Sequence, residues 1–266
     1  MEFIINYYFD FDIISDEFGF VVSGLWMTIK LWLVASLLSL IWGLVLAVLR
    51  QLPGKALAPI RGLTIAYIDG FRGLPALLVL LLVSGFLAAG QSDGVLPKWL
   101  GLPTWFGEPT WFWYGVIGLT LTYGAYLAEV YRAGIEAIPH GQMEAARSLG
   151  MSHGKAMRYI IVPQAVRKVI PPLLNDLIAL MKDTSLVFAI GGSELLDAGF
   201  SIESDYFNGS GLMLGAIFYL VLTIPLARLV DVLLKREQRR TQRGGGDADA
   251  GEAEEPPNPN IGLAGA

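Results

Sequence analysis

The residues of this sequence that could do chemistry are charged and polar side chains set inside or beside apolar stretches. Ionisable groups are costly in hydrocarbon, so they either pair with one another or line a path for a polar solute. The sequence therefore suggests passage of a small charged molecule rather than covalent chemistry. The residues concerned are Asp69, Arg72, Glu129, Arg132, Asn175, Lys182, Asp183 and Ser185.

Three pairs among these residues permit a structural role as well as a role in the path. Asp69 and Arg72 are three residues apart, which places them on one face of a helix and predicts a structural ion pair. Lys182 and Asp183 can pair with each other, cap a helix break or line the path. Glu129 and Arg132 can likewise extend towards the membrane surface or act in the path.

Composition excludes several classes of protein. Of the 266 residues, 54% are hydrophobic and 16% are charged, against roughly 25% charged in soluble proteins. The net charge of −5 argues against binding of nucleic acid, which needs a basic surface. There is no cysteine, and the two histidines, His140 and His153, have no second ligand at metal-binding spacing, so neither a metal nor another cofactor is expected.

No catalytic motif is present either. A nucleotide-binding G-x-x-x-x-G-K-[ST] loop is missing, because Gly54-Lys55 and Gly154-Lys155 are each followed by alanine. Ser193 lacks the second glycine of a nucleophile elbow. We expect no catalytic residue, and any ATP hydrolysis should belong to another chain.

The elements that must position the charged residues are membrane spans. A span needs about 20 mostly apolar residues, and five stretches qualify. The second is interrupted by Gly70, Gly73 and Pro75, which predict a kink. The five stretches are residues 31–49, 57–90, 110–128, 164–193 and 211–227.

The distribution of lysine and arginine predicts the orientation of these spans. Of the 19 basic residues, 15 lie in the segments 50–62, 130–168 and 228–243, whereas the loops 91–109 and 194–210 contain only Lys98. Cytoplasmic loops are enriched in basic residues. The prediction is an all-α membrane protein of five transmembrane helices with its N-terminus outside and its C-terminus in the cytoplasm.

Three regions follow from this topology. Residues 1–20 form an extracytoplasmic N-terminal segment, and residues 21–237 form the transmembrane domain. Residues 238–266 are rich in glycine, proline and acidic side chains from Gly244 onward, which predicts a disordered cytoplasmic tail.

The cytoplasmic loop between spans three and four is long and amphipathic, so it should fold. Pro139 suits a first helical turn, Gly150 suits a left-handed helix end, and Ser152 suits the N-cap of a second helix before Pro163. Small side chains at Ala145 and its neighbour leave one face of the first helix open to close approach by another backbone. The loop is therefore predicted to carry a small docking helix.

These residues resemble a known family. Glu144, Ala145, Ala146, Gly150, Ile160 and Pro163 reproduce the E-A-A, G, I, P loop of permease subunits in bacterial ABC importers. The stretches 71–75, 123–150 and 163–186 look like the polar amino-acid branch of that family, and the resemblance spans roughly residues 20–237. Leu74 and Val79 stand where that branch often has threonine and glutamine, which leaves the identity of the amino acid open.

The resemblance implies a multi-pass permease subunit of an ATP-driven amino-acid importer in the bacterial inner membrane. Its implied partners are the lipid bilayer, a cytoplasmic ABC ATPase subunit, an extracytoplasmic amino-acid-binding protein and a second permease subunit, identical or not. The loop residues above, with Pro139 and Gly141, would couple it to the ATPase. The residues expected along the substrate path are Glu129, Asn175, Lys182, Asp183 and Ser185.

Two alternatives remain open. The same scaffold could carry another small solute. A protein of a different class, a channel or a membrane enzyme without an ATPase partner, would use the loop only as a connector.

Overall fold

The computed structural model describes residues 2–96 and 107–252, with side chains from 2–96 and 107–236. All regular structure within these ranges is helical, in agreement with the predicted class. The helices are α1 (Glu2–Tyr8), α2 (Phe11–Arg50), α3 (Ala58–Gly73), α4 (Ala76–Ser92), α5 (Thr110–Glu136), α6 (His140–Ser148), α7 (His153–Ala156), α8 (Val162–Asp183), α9 (Leu195–Tyr206) and α10 (Ser210–Glu252).

Helix α5 is the centre of the bundle. It packs against α2, α3, α4 and α8, and most of its first 19 residues are buried. The contact with α2 is very close, since a Cβ added at Gly43 would lie 2.8 Å from the Cβ of Leu127 and 3.0 Å from the carbonyl oxygen of Gly124. The absence of a side chain at Gly43 therefore allows the backbones of α2 and α5 to approach this closely.

The helix that contains the first predicted span starts earlier than that span. Helix α2 begins at Phe11 instead of near residue 31, and the carboxylate of Asp10 caps it by accepting hydrogen bonds from the amides of Asp12 and Ile13 at 3.1 and 3.3 Å. An aspartate at the N-cap stabilises a helix start by about 1 kcal/mol. The apolar pattern did not predict a helix start at Phe11, because the acidic residues before span one placed residues 1–20 in a separate N-terminal segment.

The stretch predicted as the second span contains two separate helices and not one kinked helix. Helices α3 and α4 meet at an angle of 113°. Pro75 lacks an amide hydrogen and forces the preceding residue out of the helical region, and Leu74 accordingly has φ −98° and ψ 143°. Within the described residues, two helical segments are long and apolar enough to cross a membrane, 2–50 and 210–236, or three if α3 and α4 together form one span. The count of five stays a prediction.

The stretch predicted as span four contains two kinds of helix. A π-helical turn over Met157–Ile161 leads directly into α8, so the chain stays helical through Pro163 even though proline supplies no amide hydrogen there. Helix α8 ends at Asp183 and continues as a 3-10 segment, Thr184–Ile190, which Gly191 closes with φ +78°.

The backbone of α10 continues as far as Glu252, into the predicted tail. Residues 253–266 of that tail lie outside the described residues.

Candidate functional site: a docking helix and a polar cavity

The predicted docking helix is α6, and its end is fixed by backbone geometry. The amide of Gly150 donates to the carbonyl of Arg147 at 3.0 Å, and the amide of Met151 donates to that of Ala146 at 3.1 Å. These two bonds form a Schellman motif, which requires a left-handed residue after the helix. Gly150 has φ +80°, as its position predicted. The second predicted cap is also present, since Ser152 Oγ accepts from the amide of Lys155 at 3.4 Å.

One face of α6 is anchored and another is free. Ala146 is 1% exposed, and Met143 packs against the cluster formed by Ile138, Ile161 and Ala165. Glu144 and Ala145 are exposed, and so is Leu149 at 84%. The helix therefore presents a small-residue edge with one apolar side chain beside it, on a rigid support.

The other predicted loop residues lie within α6 or next to it. Pro139 is the N-cap of α6, one position earlier than its predicted place in the first turn, and Gly141 is exposed with open space around it. Ile160 lies in the π-helical turn and packs on the supporting cluster, whereas Pro163 is exposed at the start of α8.

A polar cavity of about 260 Å³ lies where the break between α3 and α4 meets α5 and α8. Its floor and walls combine carboxylates with tyrosines and the first residues of α4. The residues that matter here are Pro75, Ala76, Tyr123, Tyr126, Asp176 and Asp183. Tyr123 is the middle residue of α5, so the cavity lies about halfway along the central helix.

The two carboxylates of the cavity have different surroundings. Asp183 accepts a hydrogen bond from the hydroxyl of Tyr123 at 2.8 Å. Asp176 is half-buried, and no described side chain donates to it. Asp183 is among the path residues predicted from the sequence, whereas Asp176 is not. The signal was available, because seven residues are two helical turns and place both carboxylates on one face of α8.

The other predicted path residues do not line this cavity. Asn175 and Lys182 are exposed and lie one residue before the two carboxylates, on a different face of α8. The hydroxyl of Ser185 donates to the carbonyl of Lys182 at 2.7 Å, which satisfies it locally in the 3-10 segment.

Glu129 is the centre of an ion-pair network. It accepts from Arg50 Nη1 at 2.6 Å and from Arg132 Nη2 at 2.5 Å, and Arg72 Nη1 lies 3.9 Å away. The network joins α2, α3 and α5. Glu129 therefore ties helices together, instead of extending towards the membrane surface or lining the cavity.

The predicted ion pair between Asp69 and Arg72 is absent from the described salt bridges. Arg72 is the penultimate residue of α3, close to the break, so it reaches across to Glu129 on α5 and lies over the ring of Tyr126, 5.9 Å from the ring centre. Asp69 is exposed. A spacing of three residues permits a pair, but a carboxylate on a neighbouring helix competes for the same guanidinium.

A further carboxylate, Glu194, was expected in an extracytoplasmic loop and is instead fully buried. It accepts from Thr28 Oγ1 at 3.0 Å, from the hydroxyl of Tyr219 at 2.9 Å and from the amide of Leu196 at 2.8 Å. It is the N-cap of α9 and links that helix to α2 and α10. An acidic residue immediately before a helix was the available signal.

Comparisons with known proteins agree with the loop motif. Residues 39–241 match the family model "Binding-protein-dependent transport system inner membrane component". The chain is 34% identical to the "Probable glutamine ABC transporter permease protein GlnM" of Bacillus subtilis, over 85% of this chain and 97% of that one. It is 32% identical to the glutamate/aspartate import permease protein GltK of Escherichia coli, over 86% and 99%.

A solved structure resembles the fold as well. The crystal structure of an amino acid ABC transporter with histidines superposes with a TM-score of 0.72 at 33% identity, and the match covers 84% of this chain and 96% of that chain. The family model covers most of the chain, and these relatives are matched over nearly their full length. The chain belongs to the family of inner-membrane components of binding-protein-dependent transport systems.

Proposed function

We propose that this chain is the permease subunit of an ATP-driven importer that carries polar amino acids across the bacterial inner membrane. A separate cytoplasmic ATPase subunit supplies the energy. An extracytoplasmic binding protein delivers the amino acid, and a second permease subunit completes the pathway.

The observation that carries this proposal is the geometry of α6. A nine-residue helix stands between α5 and α8 with Ala146 anchored and Glu144, Ala145 and Leu149 exposed. Its end is fixed by the left-handed Gly150. A small-residue helix on a rigid support can enter a cleft of another protein and transmit movement to the helices attached to it. A plain connector has no need of this arrangement.

The proposed topology has five spans with the N-terminus outside. They are α2, the broken pair α3 and α4, α5, α8 with its 3-10 segment, and α10. This arrangement supports a cytoplasmic position for α6, because the basic residues concentrate on that side.

The cavity beside the break of α3 and α4 serves as the solute site of the permease. Broken helices near the middle of a membrane expose helix ends and unpaired backbone groups to a bound solute. Movement of the ATPase subunits then shifts the population between orientations of the spans that open this site to one side or the other.

A crosslinking experiment tests the docking role. A photo-crosslinking amino acid replaces Leu149, which is 84% exposed beside the small-residue edge of α6, and a control chain carries it in place of Val95, which is 78% exposed on the predicted opposite side. In native membranes the Leu149 probe should capture a protein that contains a G-x-x-x-x-G-K-[ST] sequence, and the Val95 probe should not. Failure of the Leu149 probe to capture any such protein would contradict the docking role.

A further inference from the structure

An apolar groove of about 290 Å³ runs between α2, α8 and α10, and seven of its ten lining residues are leucines. Along α2 the lining extends from Trp32 to Leu40, which corresponds to about 12 Å of helix. Leu37 and Leu229 in its wall are 59% and 49% exposed, so the groove opens to the outside of the bundle. In a membrane protein such a surface faces hydrocarbon.

The lining of the groove is unlike a contact surface for another helix. Transmembrane helices that pack closely use small residues, so that their backbones can approach each other. The contact between α2 and α5 follows this rule at Gly43. The described residues that line the groove include no glycine and no alanine. An open cleft between leucine side chains suits a flexible acyl chain better than a rigid helix.

The directions of the three helices define the two ends of the groove. The indole nitrogen of Trp32 donates to the carbonyl of Leu177 at 2.8 Å. Eight residues later on α2, Leu40 packs in the same cluster as Val169, eight residues earlier on α8, so these helices run in opposite directions. Helix α10 runs with α2, since the residue before α2 donates its amide to the first residue of α10 at 2.9 Å. The end of the groove on the side of α6 is therefore reached backward along α8 and forward along α10.

Two arginines lie at that end of the groove. Arg167 precedes the lining residue Leu174 by seven residues on α8, and Arg236 follows the lining residue Leu229 by seven residues on α10. Seven residues are two helical turns, so each arginine lies on the face that lines the groove and about 10 Å beyond it. Both side chains are exposed, and neither forms an ion pair with another described residue. The groove thus ends at two guanidinium groups that have no anion of their own.

We propose that this groove binds an anionic phospholipid from the leaflet on the side of α6. One acyl chain lies along the leucines, and the phosphate lies between Arg167 and Arg236. Guanidinium groups bind phosphate through strong charge-assisted hydrogen bonds, and basic residues between transmembrane helices attract anionic head groups. The chain gains only packing contacts, because it leaves hydrocarbon for hydrocarbon. The two arginines therefore supply the preference for an anionic lipid.

The bound lipid contacts α2, α8 and α10 together, and α8 continues directly from the docking loop through the π-helical turn. The groove shares no lining residue with the polar cavity. Lipid binding is therefore a property of this chain that does not depend on which solute it carries.

Native mass spectrometry of the full-length chain, purified in detergent and stripped of lipid, tests the site. The probes are dioleoyl phosphatidylglycerol, which is anionic, and dioleoyl phosphatidylcholine, which has the same chains and a zwitterionic head group. Wild-type protein should bind the first phosphatidylglycerol at least about tenfold more tightly than phosphatidylcholine. Arg167→Gln and Arg236→Gln should each weaken phosphatidylglycerol binding by about fivefold, and the double variant should bring the two affinities to within about twofold.

The matched control is Arg228→Gln. Arg228 also lies on α10, next to Leu229 in the chain, but it is 79% exposed and lies 3.5 Å from Asp231. This variant should keep the wild-type preference. Leu37→Trp places a larger side chain in the groove and should weaken both lipids. Glycerol phosphate, which has no acyl chain, should displace neither lipid. The unfolding temperature without lipid should not change in the arginine variants, because both side chains are exposed.

A photo-crosslinking amino acid in place of Leu37 identifies the occupant in native membranes, and it should capture phospholipid. Capture of a protein chain there would show a helix in the groove and overturn the inference. So would equal binding of the two lipids by wild-type protein, a preference that survives both arginine substitutions, undiminished binding by folded Leu37→Trp, or displacement by glycerol phosphate, which would indicate a site for free phosphate. None of these results bears on ATP-driven uptake, so the proposed function is tested separately.

Discussion

Replacement of Gly150 by valine should uncouple the permease from its ATPase while the spans remain folded. Gly150 has φ +80°, a conformation strongly disfavoured for a β-branched residue, and a Cβ at this position would meet no atom within 4 Å. The substitution therefore adds backbone strain but no collision. Such strain costs about 1–3 kcal/mol, which lowers the equilibrium constant for forming the native turn by roughly fivefold to 150-fold.

The loss should be local, because the turn contributes two hydrogen bonds at the end of α6 and no core side chain. Membrane abundance and the thermal unfolding midpoint of the spans should stay close to wild type. Stimulation of ATP hydrolysis by the reconstituted complex should fall, and the change in that equilibrium constant sets the upper limit of the loss. Retention of the ATPase subunit during purification reports the same docking independently.

The matched control is Gly154→Val. Gly154 also has open space for a Cβ, but its φ is not in the left-handed region, so valine there adds no such strain and changes helix propensity by less than about 1 kcal/mol. Gly154→Val should couple nearly normally. Full coupling by Gly150→Val at normal abundance would refute the argument that the left-handed turn positions the docking helix.

Three further substitutions test the topology and the ion-pair and hydrogen-bond networks. A cysteine at Ser152, the only one in the chain, should be inaccessible to an impermeant thiol reagent added outside intact cells, and labelling there would reverse the proposed orientation. Glu129→Gln should lower the unfolding free energy by about 1–3 kcal/mol, since it removes the carboxylate that Arg50 and Arg72 contact and leaves Arg132 paired with Glu136. Glu136→Gln, at an acid that is 61% exposed, should change it by less than about 0.5 kcal/mol. Glu194→Ala should lower the free energy of unfolding by about 2–5 kcal/mol, because it removes a helix cap and leaves buried hydroxyl donors unpaired. Asp205→Ala, at an exposed residue at the other end of α9, should have little effect. Equal thermal shifts for the two variants would contradict the buried network.

The docking loop could be predicted from sequence because its signals are local. A glycine that follows a helix pattern, and a serine two residues later, each have one favoured backbone role, and the structure contains both roles at Gly150 and Ser152. The small side chains at Ala145 and Ala146 are equally local, but only Ala145 lies on the free face, because Ala146 is 1% exposed. Such features depend on neighbours within one or two turns.

The partners of charged residues could not be predicted in the same way. Arg72 is three residues from Asp69 in the sequence, but the break at Pro75 brings it to Glu129 on α5. Glu194 looked like a loop residue, and only the packing of α2 and α10 around α9 buries it. Contacts between distant helices decide these pairings, and spacing along one helix carries no information about them.

The cavity also shows that polarity in the sequence does not decide which side chains face it. Asp183 was predicted as a path residue because it interrupts an apolar stretch, and its neighbour Lys182 was predicted for the same reason. The turn of α8 then places the aspartate against Tyr123 and leaves the lysine exposed. Polarity within a span identifies candidates, whereas helical phase relative to the neighbours selects among them.

The most direct test of the account is ATP-dependent uptake in proteoliposomes that contain this chain with its ATPase subunit and any second permease subunit, together with the extracytoplasmic binding protein. A radiolabelled polar amino acid should accumulate against its gradient only when ATP is present on the side that carries α6. Uptake at the same rate without ATP, or no uptake of any amino acid by a complex that hydrolyses ATP, would contradict it.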